Sequence, residues 1–384
     1  MENVNTLAEE WADLNKATNR VCAQTLTAPV DVPHFKRSRV DGYAINEQDL
    51  FQPAPLTLMK TGVVPAGSVE QCKIEPGVTI KIMTGAPIPL HTGAVIKQEE
   101  VGECDNEIKV NFLPTYNTNI ELVGSMHKKG EVIAKQGDRY DPLTIEHIAA
   151  TGINLVPVYD LPSVYIINSG SELELPGSSL EYGKIFNSNQ SMFLSLLKLA
   201  DCNGIAGHGQ LADDLDLICA EIKKGLELSD LLIINGGNAE GDFDLIPLAL
   251  EKIGASIIIK GIQMKPGPRT VVAGYGNKLI FNVPGNPHAG YILFQVLIKP
   301  VLRKMQGQNA PLNQWFNIKL TDNMKSISKT RTFCKGALVA ENNSLGAIAL
   351  PKSDLNYGLA PLILDIAPNQ GHEGDIVKAM LVGM

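Results

Sequence analysis

Between residues 163 and 305, four apolar runs, SVYIIN, DLLIIN, ASIIIKG and KLIFNV, alternate with helix-period stretches. Those stretches are QSMFLSLLKLA, DDLDLICAEIKKGL, FDLIPLALEKIG and HAGYILFQVLIKPVLRKM. No other feature restricts the fold as much. Strand–helix alternation of this kind predicts a parallel sheet with helices on both faces. Ligands of such sheets sit outside the carboxyl ends of the strands, where strand gives way to helix.

The flanking texture differs. Leu7, Trp11, Leu14, Thr18 and Val21 recur at spacings of three and four, which predicts an N-terminal helix. Pro29 and Pro33 then end it. From 45 to 136 the signals are short strands, LTLMKTGVV, VTIKIM, GAVIKQEEV and EIKVNF, bounded by turn residues, so a small and mostly antiparallel β domain is predicted. PLTIEHIAATG (142–152) is a second helical stretch, and 313–384 returns to short strands.

A net charge of −8 argues against a nucleic-acid surface, although a local basic pocket for an anionic ligand stays compatible with it. The six cysteines (Cys22, Cys72, Cys104, Cys202, Cys219 and Cys334) form no CxxC pair, which fits reduced thiols better than a zinc or disulfide framework. The polar first twenty residues and the lack of any long apolar run predict a soluble, cytoplasmic protein. The spacing of His34, His91, His147, His208, His288 and His372 is not that of metal ligands, and Trp11 and Trp315 read as packing residues.

Three junctions of the α/β region are rich in turn residues: INSGSELELPG (167–177), INGGNAEGDFD (234–244) and VPGNPHAG (283–290). Glycines permit close backbone approach to a ligand, and free N–H groups at a helix start attract anions. Together the three suggest a phosphate-bearing ligand lying across the sheet. The competing reading is that they are turns and helix caps, and Asp244 alone reads as a cap. Asp242 and Asp244 as a pair are harder to explain so, because one cap suffices. Two carboxylates beside a phosphate would repel it unless Mg²⁺ bridged them, and the loop is read as a metal-assisted anion site.

These stretches, with two more, resemble the molybdopterin molybdenumtransferase (MoeA, gephyrin E-domain) family. SRVDGYA (38–44) is similar to the family's S-x-M-D-G-Y-A, and IMTGAPIP followed by AVIKQEE is similar to T-G-A-P-x-P…A-V-V-x-Q-E. NSGSEL…GKIFNSN, GGNAEGDFD and MKPGP…VPGNPHA resemble three further motifs in the same order. The resemblance implies an elongated homodimer of four parts: a discontinuous helical linker (1–44 and 137–160), an inserted β domain (45–136), a doubly wound molybdopterin-binding α/β domain (161–308) and a C-terminal β-barrel-like domain (309–384), with its cleft at the dimer interface. It implies insertion of molybdate into adenylylated molybdopterin with Mg²⁺ and release of AMP, and an adenylyltransferase as a candidate partner. Carried over residue by residue, it places Asp41, Thr84, Glu172, Asp214 and Lys265 in catalytic positions. Ser169, Gly170, Asn187, Asn189, Gly236, Gly237, Pro284, Gly285, Asn286 and Pro287 fall in the molybdopterin-binding loops, with Asp242 and Asp244 as metal ligands.

The chain departs from the pattern at charged positions. His127 stands for an arginine, Val132 for an acidic residue, Ser171 for an aspartate, and Gly261 and Pro268 for two lysines. Valine can neither bind a cation nor move a proton. Two functional classes follow: a working molybdenumtransferase with a rearranged charge set, and a paralogue that binds molybdopterin or a partner without efficient turnover.

Overall fold

The computed structural model describes residues 4–207, 214–236, 245–325, 327–341, 344–356 and 358–382. At its centre is the α/β domain. In chain order its elements are β1 (Ser163–Asn168), α1 (Ser188–Leu199), β2 (Asn203–Ala206), α2 (Leu215–Leu228), β3 (Leu231–Asn235) and α3 (Leu245–Lys252). There follow β4 (Ser256–Lys260), β5 (Val271–Tyr275), β6 (Lys278–Val283), α4 (Pro287–Leu293) and α5 (Lys299–Met305). The six strands lie in the order β2-β1-β3-β6-β5-β4.

Alternation along the strands separates two cores. Val164, Ile166, Leu231, Ile233 and Phe281 pack on one face with Phe193 and Leu197 of α1 and Leu302 of α5. Tyr165, Ile167, Leu232, Ile234 and Ile280 pack on the other with Ile222 of α2 and Leu250 of α3. Both faces are covered, as the uninterrupted apolar runs require.

The sheet is less uniform than the apolar runs predict. β2, β1, β3 and β6 are parallel, whereas β5 runs antiparallel to both β6 and β4. The run ASIIIKG therefore becomes an edge strand. It is held there by TVVAGY, which turns back at Gly276 (φ 58°) into KLIFNV, a connection too short for a helix.

Between α4 and α5 the helix widens to a π turn over Phe294–Ile298. Pro300 has no N–H to close an ordinary turn onto Val296. The Asn313 amide instead donates to the carbonyls of Gln295 (3.0 Å) and Val296 (3.3 Å).

The N-terminal helix does not form. Glu9–Asp13 is a strand paired antiparallel with Leu155–Tyr159 over five residue pairs, followed by a single 3-10 turn, Leu14–Lys16. Leu14, Val21 and Cys22 are buried, but Trp11 is 63% exposed, so it is not the packing residue expected. A three-four spacing over so short a polar stretch is weaker than a ladder of backbone bonds to an available edge. In the linker the helix Pro142–Ala150 is present, started by Asp141, whose carboxylate accepts from Thr144 N at 2.7 Å.

Five strands of the inserted region and Gly42–Asn46, which straddles its start, form one sheet in which the pair Leu56–Val64 and Val78–Ile82 is parallel and every other pairing antiparallel. The C-terminal sheet has five strands, and a bridge between Leu320 and Ala347 brings its ends towards a barrel. Ile292 of α4 packs with Phe333, Ile363 and Met380 of this sheet, fixing it against the α/β domain.

Candidate functional site

The strand order reverses between β1 and β3, because the chain steps to β2 on one side and then to β3 on the other. A reversal of this kind leaves a crevice at the carboxyl ends of the two strands. Asn168 ends β1 and lies opposite Asn235, which ends β3 and lies opposite Val283 at the end of β6. The Asn189 amide, in the first turn of α1, donates to Asn235 Oδ1 (2.6 Å) and to the Gly285 carbonyl (2.7 Å). Asn235 Nδ2 donates to the Pro284 carbonyl at 2.8 Å. Two buried amides thus tie the three junctions together. Asn187 caps α1 by accepting from Gln190 N (3.1 Å), and Asn286 caps α4 by accepting from His288 N (2.9 Å).

Gly236 completes the crevice. Its φ is 104°, its N–H donates to the Val283 carbonyl at 3.1 Å, and a Cβ here would collide with the Ser169 carbonyl oxygen. Only glycine fits.

The crevice holds a cavity of about 330 Å³ walled by Ser169, Glu172, Asn187, Asn189, Gly236, Pro284, Gly285 and Pro287. Cavities of about 440 and 460 Å³ lie in the inserted β sheet and in an apolar groove beside β4, and neither reaches the ends of β1 and β3. Two amide oxygens, Asn168 Oδ1 and Asn189 Oδ1, are buried without a hydrogen-bond partner among the described residues. Such atoms carry a desolvation penalty that a ligand donor would remove.

The expected site residues are distributed unevenly. Glu172 reaches the cavity with most of the loop residues, and Gly170 stands beside it, its carbonyl accepting from Leu173 N at 3.2 Å. Asp214 caps α2, its carboxylate accepting from Asp216 N (2.9 Å) and Leu217 N (3.0 Å). Lys265 sits on the seam with the C-terminal sheet, where its N–H donates to the Arg331 carbonyl and its carbonyl accepts from Phe333 N. Asp41, just before the inserted domain, and Thr84, within it, meet each other: Asp41 Oδ1 accepts from Thr84 N (2.7 Å) and Thr84 Oγ1 (2.8 Å). Those bonds hold the Asp41 carboxyl below its usual range. Neither residue lines the cavity of its own chain. Gly237, Asp242 and Asp244 lie outside the described residues. Among the described residues no three His, Cys, Asp or Glu side chains group to hold a metal.

The C-terminal sheet brings two lysines close to His288, next to the cavity residue Pro287. Lys335 Nζ donates to the Lys352 and Asp354 carbonyls, each at 2.8 Å, and so pins the turn that carries Lys352. Burial, then the charges of Lys352 and Lys335, push the His288 imidazole down to about 4. His288 follows Pro287 directly, so these lysines stand close to the cavity's PGNP edge. Only the packing of α4 on that sheet brings them there.

Residues 1–152 match the "MoeA N-terminal region (domain I and II)", and residues 165–304 match the "Probable molybdopterin binding domain". The chain is 34% identical over 388 residues to the molybdopterin molybdenumtransferase of Bacillus subtilis (strain 168), covering 97% of this chain and 90% of that protein. This chain belongs to the MoeA family. The molybdopterin molybdenumtransferase of Haemophilus influenzae is 34% identical over 337 residues, covering 85% of this chain and 80% of that one. The solved MoeA protein of Pyrococcus horikoshii OT3 superposes with a TM-score of 0.81 at 29% identity, covering 99% of this chain and 97% of that one.

Within this MoeA-family chain the departures take definite form. His127 is 7% exposed, and its Nε2 lies 2.7 Å from His147 Nδ1, so the two rings share one proton between them. His147, whose spacing in the sequence is not that of a metal ligand, is thereby a specific partner of His127. Val132 is 45% exposed on the short strand Val132–Ala134. Ser171 offers its carbonyl to Lys184 Nζ at 2.7 Å. Among the described residues no helix is long and apolar enough to cross a membrane.

Proposed function

We propose that this chain inserts molybdate into molybdopterin supplied in adenylylated form, with a requirement for Mg²⁺ and release of AMP. The observation that carries the reading is the cavity at the reversal point, closed by the Asn189–Asn235 amide network. A pterin presents N–H donors, and the unpartnered oxygen of Asn189, which lines the cavity, is an acceptor of the matching kind. Gly236 lets the backbone approach the ligand closely, and the N-terminus of α1 favours its phosphate. Glu172 would orient groups at the rim, and Lys265 would hold the incoming oxyanion by charge.

Asp242 and Asp244 are the proposed Mg²⁺ ligands, as hard carboxylates suit a hard cation. The ion, when bound, neutralises phosphate charge. Asp41 and Thr84 are ordered, exposed and remote from the cavity of their own chain. A homodimer in which one copy brings this pair to the other's cleft accounts for that placement. Asp214, engaged as a helix cap, is proposed to shape the start of α2.

The test mixes the purified protein with adenylylated molybdopterin, Mg²⁺ and molybdate, and follows both AMP release and ligand binding. Molybdate-dependent release establishes the enzyme, and absence of both binding and release defeats the proposal. Binding without release would favour the second reading, a pterin-binding paralogue, which draws support from exposed Val132 and from the engagement of His127 with His147.

A further inference from the structure

The far end of the α/β domain, away from the cavity, holds a cluster of cations with too little negative charge to balance it. Lys299 and Arg303 stand one turn apart on α5, the i, i+4 spacing that brings like charges onto one face. Arg139, from the linker segment before helix Pro142–Ala150, is the third cation. Asp201, in the left-handed turn between α1 and β2 (φ 53°), is bound by Arg139 Nη2 at 2.6 Å. Gln306, which caps α5, donates its amide to the Asp201 carbonyl at 3.0 Å and so seats this turn against α5, where the Asp201 carboxylate also acts on Lys299. Among the described residues the Arg303 side chain makes a single long bond, 3.3 Å, to Asn313 Oδ1, and the Lys299 side chain makes no hydrogen bond or ion pair. Both are half-buried.

A cation withdrawn from water without a partner is costly and ordinarily neutralises or finds an anion. Burial first, then Arg303 and Arg139, push the Lys299 amine down to about 8, which leaves it largely charged at neutral pH. Arginine stays charged throughout. Planar guanidinium forks beside a point-charge amine are the donor set that phosphate oxygens take.

We propose that Arg139, Lys299 and Arg303 form a binding site for a tetrahedral dianion of the phosphate class. The site lies at the junction of the linker segment and the α/β domain. The bound anion completes the charge balance and braces the Arg139 segment against α5. The site is separate from the pterin cavity, and it stands whether or not the catalytic proposal does.

The test titrates inorganic phosphate into the full-length protein at pH 7.0, by calorimetry and by thermal shift, with ionic strength held constant with chloride. A Lys265→Ala background removes the cation proposed for the oxyanion at the cleft. Saturable phosphate binding with a raised melting temperature is expected. Lys299→Met and Arg303→Met should each weaken it roughly tenfold or more, the loss of one charge-assisted hydrogen-bond donor. Asp201→Asn, which removes the competing carboxylate, should tighten it. Stabilisation no greater than chloride gives, or phosphate binding that survives both methionine variants, would overturn the proposal. So would binding that appears only with protein self-association, which would assign the cations to a carboxylate of a second copy.

Discussion

Replacing Asn189 by alanine isolates the network on which the candidate site rests. The change removes one amide that donates to two buried acceptors, Asn235 Oδ1 at 2.6 Å and the Gly285 carbonyl at 2.7 Å. Each acceptor orphaned in a dry site costs about 1–3 kcal/mol, and the mutation also removes the unpartnered Asn189 Oδ1, so a net loss of about 2–4 kcal/mol is expected. For a domain of this size that lowers the melting temperature by roughly 5–15 °C. Urea unfolding of the full chain, followed by far-ultraviolet circular dichroism, measures the loss, and pterin binding measured on the folded variant should fall with it. The neighbouring cap variant Asn187→Ala, which loses one bond to Gln190 N, should cost only ~1 kcal/mol. A double-mutant cycle of Asn189→Ala with Asn235→Ala should show a coupling of about 0.5–3 kcal/mol. A cost for Asn189→Ala no larger than that of the cap, together with zero coupling to Asn235, would refute the claim that these amides tie the three junctions.

The remaining expectations concern Gly236, His288 and Val132. Gly236→Ala forces a side chain into φ 104° and against the Ser169 carbonyl, so a loss of about 1–3 kcal/mol from backbone strain alone should accompany loss of pterin binding; full stability and affinity in this variant would show that glycine is dispensable there. His288 titrates at about 4 in the fold against about 6.5 unfolded, so its neutral ring contributes stability that is fully present above pH 6.5 and is lost as pH falls towards 4. The contribution is at most ~3 kcal/mol, and the urea midpoint of His288→Gln should lose that part of its acid dependence; an unchanged pH profile would remove His288 from the balance. Val132→Asp introduces an acid at a 45% exposed position and should alter stability by no more than about 0.5 kcal/mol. If the native chain is weakened at this point, the variant's AMP release rises, whereas an equal or lower rate would place the missing acid's chemistry on other residues.

The sequence by itself determined much of this protein. Uninterrupted apolar runs such as DLLIIN are buried on both faces because a parallel strand has no solvent side, so their pattern specifies the doubly wound core without reference to distant residues. Glycines and asparagines at the three junctions were legible for a related reason: backbone approach and caps need particular residue types at particular offsets. Tertiary structure decided what depends on partners far along the chain. Glu9–Asp13 became a strand because Leu155–Tyr159 offered an edge, which no local spacing announces. TVVAGY reversed direction between two parallel-reading runs and made the sheet mixed. Lys335 and Lys352 arrived beside His288 because α4 packs against the C-terminal sheet, and Arg139 met Asp201 across 62 residues. The physical reason is common to these cases. Local pattern fixes which face of a segment seeks burial, but charges and backbone edges act on whatever the fold places next to them, and that adjacency exists only in the assembled chain.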